Sequence, residues 1–471
     1  MSDAPTSTPP GWRRRVFPLL AVLLPLALVG ALEAALRVAG VGQSSSFFLR
    51  DGDRYLTNPR FGWRFFPVPL ARTPLALSFP SHKPPETFRV FVFGESAAMG
   101  IPEPAFGFSR VLEVLLEQRD PRVDIEMINT AMTAINSHVV REIARECAGY
   151  EPDAFLVYMG NNEVVGPFGP GTVFTRGAPP LPLVRARVMA ERTRIGQLAE
   201  RAAGWVAPRP AQATQWRGME MLTEEQIAAD DPRLERTYGS FRRNLEAILD
   251  AAESAGVPAI VATVATNLRD SPPFASLHGR DGNDAGLQYQ LGVAALDAGP
   301  PDEASRLLGR ARDLDLLRFR ADGRINAVVR EVAGSRSARG VTLVDAERIF
   351  ADAGGGAPGD DLFWEHVHLN EAGNHLLARA FDEAVAPLMP TPHDRRTAAP
   401  AHRLSRAQVA ERLALTDWDR HRMAAAILQM MRRPPFTRQP GHDARIERRR
   451  REVLAARDAA RDELDAAEAT Y

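Results

Sequence analysis

Between residues 86 and 390, short apolar runs alternate with segments whose apolar residues recur at helical spacing, and no other feature limits the fold as much. Phe88 to Phe93, apolar except for Arg89, reads as a buried strand, as do Ile125 to Ile128, Ala154 to Met159, Val257 to Val264 and Val341 to Val344. Between these runs, Phe108, Val111, Leu112, Leu115 and Leu116 mark one helix, and residues 137 to 149 another. Phe241, Leu245, Ile248, Leu249 and Ala252 mark a third, and a further helix is expected after Gly373. Strands and helices that alternate in this way build a parallel sheet covered on both faces. The fold class expected is therefore α/β. In such a sheet a ligand site lies beyond the carboxyl ends of the strands.

Four short segments carry the chemistry, the first three at strand ends. Gly94-Glu95-Ser96-Ala97-Ala98-Met99-Gly100 presents a hydroxyl on a glycine-bounded turn. Asn129-Thr130-Ala131-Met132-Thr133-Ala134 and Gly160-Asn161-Asn162-Glu163 present small backbone and amide donors. Glu365-His366-Val367-His368-Leu369-Asn370 presents an imidazole with a carboxylate three residues before it. A serine hydroxyl is a poor nucleophile until a base removes its proton, and His368 suits that task because an ordinary imidazole titrates near neutrality. Glu365 is placed to accept from the other ring nitrogen and fix the tautomer. The backbone N–H groups of Ser96 and Ala134 and the side-chain amide of Asn162 are the donors expected for an oxyanion. His366 alternates with His368, so a strand-like or loop backbone would point it elsewhere. Arg318 and Arg320 are candidates to reach over the cleft to an anionic substrate, and a surface ion pair between Arg318 and Asp322 is the competing reading.

Together these residues resemble the SGNH or GDSL-type hydrolases, over roughly residues 86 to 270 and 336 to 390. The resemblance implies a flavodoxin-like three-layer sandwich and serine esterase activity without a cofactor. It assigns the nucleophile to Ser96, the oxyanion-hole N–H of the second block to Ala134, and the asparagine of the third block to Asn162. Glu365 and His368 take the remaining two triad places. Three positions depart from the family pattern. Glu95 replaces an aspartate that is not usually part of the chemistry. Ala134 replaces a glycine, and a positive φ there would be costly. Glu365 replaces an aspartate, which lengthens the reach to His368 by one methylene. These departures mark a divergent subfamily.

Outside this region, Trp12-Arg13-Arg14-Arg15 precedes an uncharged apolar run from Val16 to Leu32 that can continue to Val38. Residues 1–42 are expected to be a cytoplasmic stub and a single-pass membrane anchor, which leaves the catalytic domain periplasmic or extracellular. A signal peptide cleaved near Val29-Gly30-Ala31 is the rival. Residues 43–85 read as an extended connector, 86–390 as the hydrolase domain and 391–471 as a helical extension. Within the domain, a helical insertion at about 275–335 resembles one tetratricopeptide unit, which cannot bury its own face and must pack on the main domain. The Ser405 to Gln408 capping box opens the extension, whose charged end, Arg445 to Ala469, reads as solvated helix or as a docking surface for a protein partner.

Several other classes fit poorly. The net charge of -1 gives no reason to expect nucleic acid. Gly94 to Gly100 lacks the lysine of a phosphate-binding loop, and Ala98 stands where an α/β-hydrolase elbow needs glycine. His366, His368 and His375 lack the second carboxylate-histidine motif that would complete a metal site. The function expected is a membrane-anchored hydrolase of carboxylic esters acting through acyl-Ser96. Its expected substrate bears an ester, with a cell-envelope glycan or lipid as the candidates. An O-acyltransferase to a sugar hydroxyl and a catalytically silent scaffold are the alternatives.

Overall fold

The computed structural model describes residues 11–175, 178–206, 215–277, 284–298, 300–390 and 404–468. The strands are β1 (Phe48–Asp51), β2 (Arg54–Thr57), β3 (Ser78–Pro80), β4 (Thr87–Gly94), β5 (Asp124–Asn129), β6 (Ala154–Tyr158), β7 (Ala259–Ala262) and β8 (Val341–Val344). The helices up to the insertion are α1 (Gly11–Val38), α2 (Ser96–Met99), α3 (Phe108–Arg119), α4 (Ser137–Cys147), α5 (Leu181–Ala190), α6 (Arg194–Val206) and α7 (Arg233–Ser254). They are followed by α8 (Ala285–Ala298), α9 (Pro301–Leu314), α10 (Gly323–Ser335), α11 (Ala346–Ala353), α12 (Glu371–Val385), α13 (Arg406–Arg412), α14 (Asp417–Met431) and α15 (His442–Glu468). Two compact units result: one combines the chain up to Ser45 with the segment that begins at Pro182, and the other holds the rest.

The larger unit is built on a five-stranded sheet in the order β5-β4-β6-β7-β8, every pair parallel. Counted along the chain this is the flavodoxin-like order 2-1-3-4-5, whose ligand crevice opens where the order reverses, between the first and third strands. Here those strands are β4 and β6. These two end level, since Gly94 pairs with Tyr158, whereas β5 ends two residues earlier, where Asn129 pairs with Val92. Helices α3 and α12 form one covering layer, and α4, α7 and α10 a second. Every residue of β4 is buried, including Arg89, whose charge is met by the Glu126 carboxylate and by the carbonyls of Tyr150 at 2.8 Å and Pro80 at 3.0 Å. A buried cation without those partners would cost several kcal/mol.

Three segments differ from the sequence reading. Much of the expected connector is a three-stranded antiparallel sheet, β1-β2-β3, with its hairpin turning at Gly52 (φ 60). Strands this short show no readable two-residue period; edge-to-face packing of Phe48 and Phe79 on each other, on Phe91 and on Tyr150 holds them. The insertion is a helical hairpin, α8 and α9, that packs on the main domain as expected. A Cβ on Gly292 would lie 2.7 Å from the Leu308 side chain, and the Tyr289 hydroxyl donates to the Arg269 carbonyl at 2.6 Å. Helix α10, expected within the insertion, instead covers the sheet through buried Ile325, Val329 and Val332.

The third difference is the C-terminal extension. Helix α14 buries Met423, Ile427, Leu428 and Met431. Ile427, Met431 and Phe436 share one apolar cluster with Val165, Leu222 and Phe319 of the main domain, each buried side chain worth about 1.5–3 kcal/mol. On α15, the buried Arg449 donates to the Phe363 and Trp364 carbonyls at 3.3 and 2.5 Å and pairs with Asp360 at 3.1 Å. The extension is a built-in part of this unit.

In the smaller unit, Leu19–Val38 of α1 spans 20 residues that include an 18-residue window with a mean hydropathy of 2.3, none of it buried. At 1.5 Å per residue it is long enough for a ~30 Å hydrocarbon core, a condition that a signal sequence also meets. Glu33 pairs with Arg37 at 2.8 Å and caps the start of α6 by accepting from the N–H groups of Arg194 and Ile195 at 2.9 and 3.1 Å.

Candidate active site

The β4 strand ends at Gly94, where a Cβ would lie 2.2 Å from the Tyr158 carbonyl oxygen, so only glycine lets β4 and β6 approach this closely. Two residues on, Ser96 opens the one-turn helix α2, half-buried. The second block is fastened to that turn. Asn129 donates to the Ala98 carbonyl and the Ser109 hydroxyl, both at 2.9 Å, and accepts from the Ala131 N–H at 3.1 Å. Ala134 then takes a left-handed conformation, φ 58, at a cost of about 1–2 kcal/mol for a non-glycine residue. The strain that the sequence flagged is present, and it turns the Ala134 peptide in the loop beside the serine.

Glu95 does more than the sequence reading allowed. Its carboxylate is buried and accepts from the N–H groups of Asn161 at 2.8 Å and Asn162 at 3.2 Å. Burial and the nearby Glu163 carboxylate raise its pKa well above the usual carboxylate range. The Asn161 side chain is taken as well, accepting from the Ala321 N–H at 3.0 Å. That leaves the Asn162 amide, which makes no hydrogen bond among the described residues and lines the cavity described below. The backbone N–H groups of Ser96 and Ala134 likewise donate to no protein acceptor among the described residues.

The loop that carries Glu365 and His368 folds back on itself: Phe363 bridges Leu369, and the Trp364 N–H donates to the His368 carbonyl at 2.8 Å. This curl aims both imidazoles at one buried carboxylate. Glu365 Oε1 accepts from His368 Nδ1 and from the His368 N–H at 2.9 Å. Glu365 Oε2 accepts from His366 Nδ1 and from the His366 N–H at 2.7 Å. His366 is therefore not directed away, as strand-like alternation implied; it shares the carboxylate with His368 and packs edge-on against Phe274, with Phe319 and Phe436 close by. Burial pushes His368 down to about 4 and His366 well below its ordinary value, so both rings are neutral near pH 7. With Nδ1–H committed to Glu365, His368 Nε2 carries the lone pair, and this atom has no hydrogen-bond partner.

Ser96, Ala134, Asn162, His366 and His368 all line one cavity of about 460 Å³. Ser96 and His368 Nε2 make no hydrogen bond with each other; a bond of that kind is often long in a substrate-free site and tightens on binding. Apart from Phe174, in the Gly- and Pro-rich stretch after Asn162 that the sequence places at one wall of the cleft, the remaining wall comes from segments in which the sequence showed no site. Phe174 follows the third block, Trp216 and Met219 come from the stretch before α7, and Met430 and Phe436 come from the C-terminal extension. Arg72 enters from the expected connector. No local signal marks the residues other than Phe174, because their shared surface forms only on folding. Arg318 and Arg320, by contrast, do not line it. Arg318 is buried, paired with Asp322 at 3.0 Å, and donates to the carbonyls of Ile227 and Asp313. Arg320 is buried too, paired with Asp315 at 3.1 Å and bonded to the carbonyls of Asn267 and Ser271. Both brace the loops behind the cleft, so the expectation that they bind substrate is corrected.

No family model and no curated protein matches the chain. It is similar to solved structures of an acetyl xylan esterase (12% identity, 63% of this chain and 100% of that chain, TM-score 0.33). A lipase/acylhydrolase from Enterococcus faecalis is similar at 14% identity, over 65% of this chain and 100% of that chain, with a TM-score of 0.30. A GDSL-like lipase from Bacteroides thetaiotaomicron is similar at 10% identity, over 66% of this chain and 92% of that chain, with a TM-score of 0.33.

Proposed function

We propose that this protein is a serine esterase of the SGNH type that works through an acyl-Ser96 intermediate. One observation carries the reading. The Ser96 hydroxyl, three unused donors and the free Nε2 of a neutral, carboxylate-oriented histidine converge on one cavity. Ser96 Oγ attacks the ester carbonyl while His368 Nε2 takes its proton, and Glu365 stabilises the imidazolium that forms. The Ser96 and Ala134 N–H groups and the Asn162 amide receive the oxyanion. Collapse expels the alcohol, which takes the proton from His368, and water then repeats the sequence on the acyl-enzyme.

A fluorophosphonate should label Ser96 in the folded protein, and Ser96→Ala should remove both labelling and hydrolysis of p-nitrophenyl esters. No labelled serine and no turnover across graded chain lengths would favour the silent-scaffold alternative. Adding sugar acceptors to the same assay separates hydrolysis from acyl transfer. The placement we propose is a single α1 anchor with the catalytic unit outside the cytoplasm, supported by the exposed apolar face of Leu19–Val38 and by Arg13 to Arg15 before it. A reporter active only outside the cytoplasm, fused after residue 45, should be active and stay in the membrane fraction. A trimmed soluble product would mean a cleaved signal.

A further inference from the structure

Among the described residues, those lining the cavity include three arginines, Arg72, Arg217 and Arg433, and neither an aspartate nor a glutamate. Two buried guanidiniums elsewhere in the fold, Arg89 and Arg320, are instead matched to carboxylates, Glu126 and Asp315. Arg217 and Arg433 are exposed, and water solvates them. Arg72 is partly buried, desolvation lowers its pKa, and it makes no ion pair among the described residues.

The Arg72 side chain is nevertheless held in place. Its Nε donates to the Thr133 hydroxyl at 2.9 Å, and its guanidinium lies 5.0 Å from the centre of the Trp216 ring. Its two terminal nitrogens make no hydrogen bond among the described residues. A partly dehydrated cation with a fixed stem and a free fork is arranged for an oxyanion ligand, since the guanidinium plane matches a carboxylate or phosphate bidentately. Thr133 directly precedes Ala134, so the fork stands beside the oxyanion donors. The lining also carries the apolar side chains of Phe174, Phe319, Met430 and Phe436.

We propose that this cavity takes an ester with an apolar body and an anionic group, carboxylate or phosphate, bound by Arg72 next to the scissile bond. For its reaction the proposal rests on the esterase reading; for its binding it does not. The test therefore uses amide isosteres, which bind without turning over. Dissociation constants of N-phenylbutyramide, para-butyramidobenzoate and para-butyramidophenyl phosphate are measured by calorimetry on the full chain in detergent, with wild type, Arg72→Lys and Arg72→Met.

Wild type should bind an anionic isostere about 10- to 100-fold more tightly than the neutral one, the advantage expected for hydrogen bonds to a charged partner. The better of the two anions identifies carboxylate or phosphate. Arg72→Met should remove most of the anion-to-neutral ratio and Arg72→Lys only part of it. A collapsed pocket would weaken all three ligands and leave the ratio in place. Equal wild-type affinity for neutral and anionic isosteres, or an unchanged ratio in an Arg72→Met protein that still binds the neutral isostere as wild type does, overturns the proposal. Since the wild-type ratio needs no variant, a misfolded Arg72→Met still leaves a decision. Absence of fluorophosphonate labelling at Ser96 would remove the esterase reading alone.

Discussion

Replacing Glu365 with glutamine isolates the charge that the site places behind His368. In the structure the carboxylate receives four donors, a backbone N–H and a ring Nδ1–H from each of His366 and His368. Glutamine offers one carbonyl oxygen and one NH₂, so one histidine keeps its acceptor and the other faces a donor. Where the NH₂ faces His368, the ring must take the tautomer protonated at Nε2 and cannot act as base. Where the oxygen faces His368, the tautomer survives, but the imidazolium formed during attack loses its counter-charge. At an effective dielectric of about 20 and about 4 Å, that attraction is worth about 4 kcal/mol, which is roughly a thousandfold in rate. Both orientations lose activity, so kcat should fall by about three orders of magnitude. KM should change little, because Glu365 does not line the cavity. The assay is steady-state hydrolysis of a p-nitrophenyl ester alongside the rate of fluorophosphonate labelling at Ser96. Glu365→Asp, which retains the charge, serves as the control and should keep measurable turnover. A Glu365→Gln protein that is folded and within tenfold of wild-type kcat would refute the assignment.

His366→Phe should fit the aromatic surroundings of Phe274, Phe319 and Phe436 but remove one ring donor from Glu365. A hydrogen bond to a charged group is worth about 1.5–3 kcal/mol, so kcat should drop by roughly 10- to 100-fold, and wild-type turnover would show that the shared carboxylate does not matter. The base must be deprotonated to work, and burial holds His368 near 4. The acid limb of kcat/KM should therefore lie well below 6.5 and activity should be lost as pH falls through about 4; a limb at 6.5 in a protein still folded by circular dichroism contradicts this. Ala134→Gly keeps the N–H and relieves about 1–2 kcal/mol of left-handed strain, offset by roughly 0.4–1 kcal/mol of extra chain entropy in the unfolded state. Thermal unfolding should show a variant at least as stable as wild type with turnover retained, and a loss above about 1 kcal/mol would show that the Ala134 methyl has a packing role.

What the sequence determined lies in short windows. The parallel α/β sheet was legible because its strands are runs of apolar residues and its helices repeat an apolar stripe, and both signals span only a few residues. Ser96, Ala134, Asn162, Glu365 and His368 were legible because each sits in a compact block. The structure brings four of them to one cavity and sets Glu365 directly behind it. The rest depends on contacts between distant segments. Whether an arginine faces a cleft or a carbonyl cage is invisible in its neighbours along the chain: Arg318 and Arg320 turn inward, while Arg72 enters the cavity. The direction of His366 followed from a loop curl set by the Trp364–His368 bond, where no period applies. The charged stretch from Arg445 reads as solvated helix or docking surface because its charges are dense, yet Arg449 within it holds the Phe363 and Trp364 carbonyls, while α14 supplies a wall that nothing local announced. Periodicity tells which face of an element is apolar. Only the packed chain decides what that face meets.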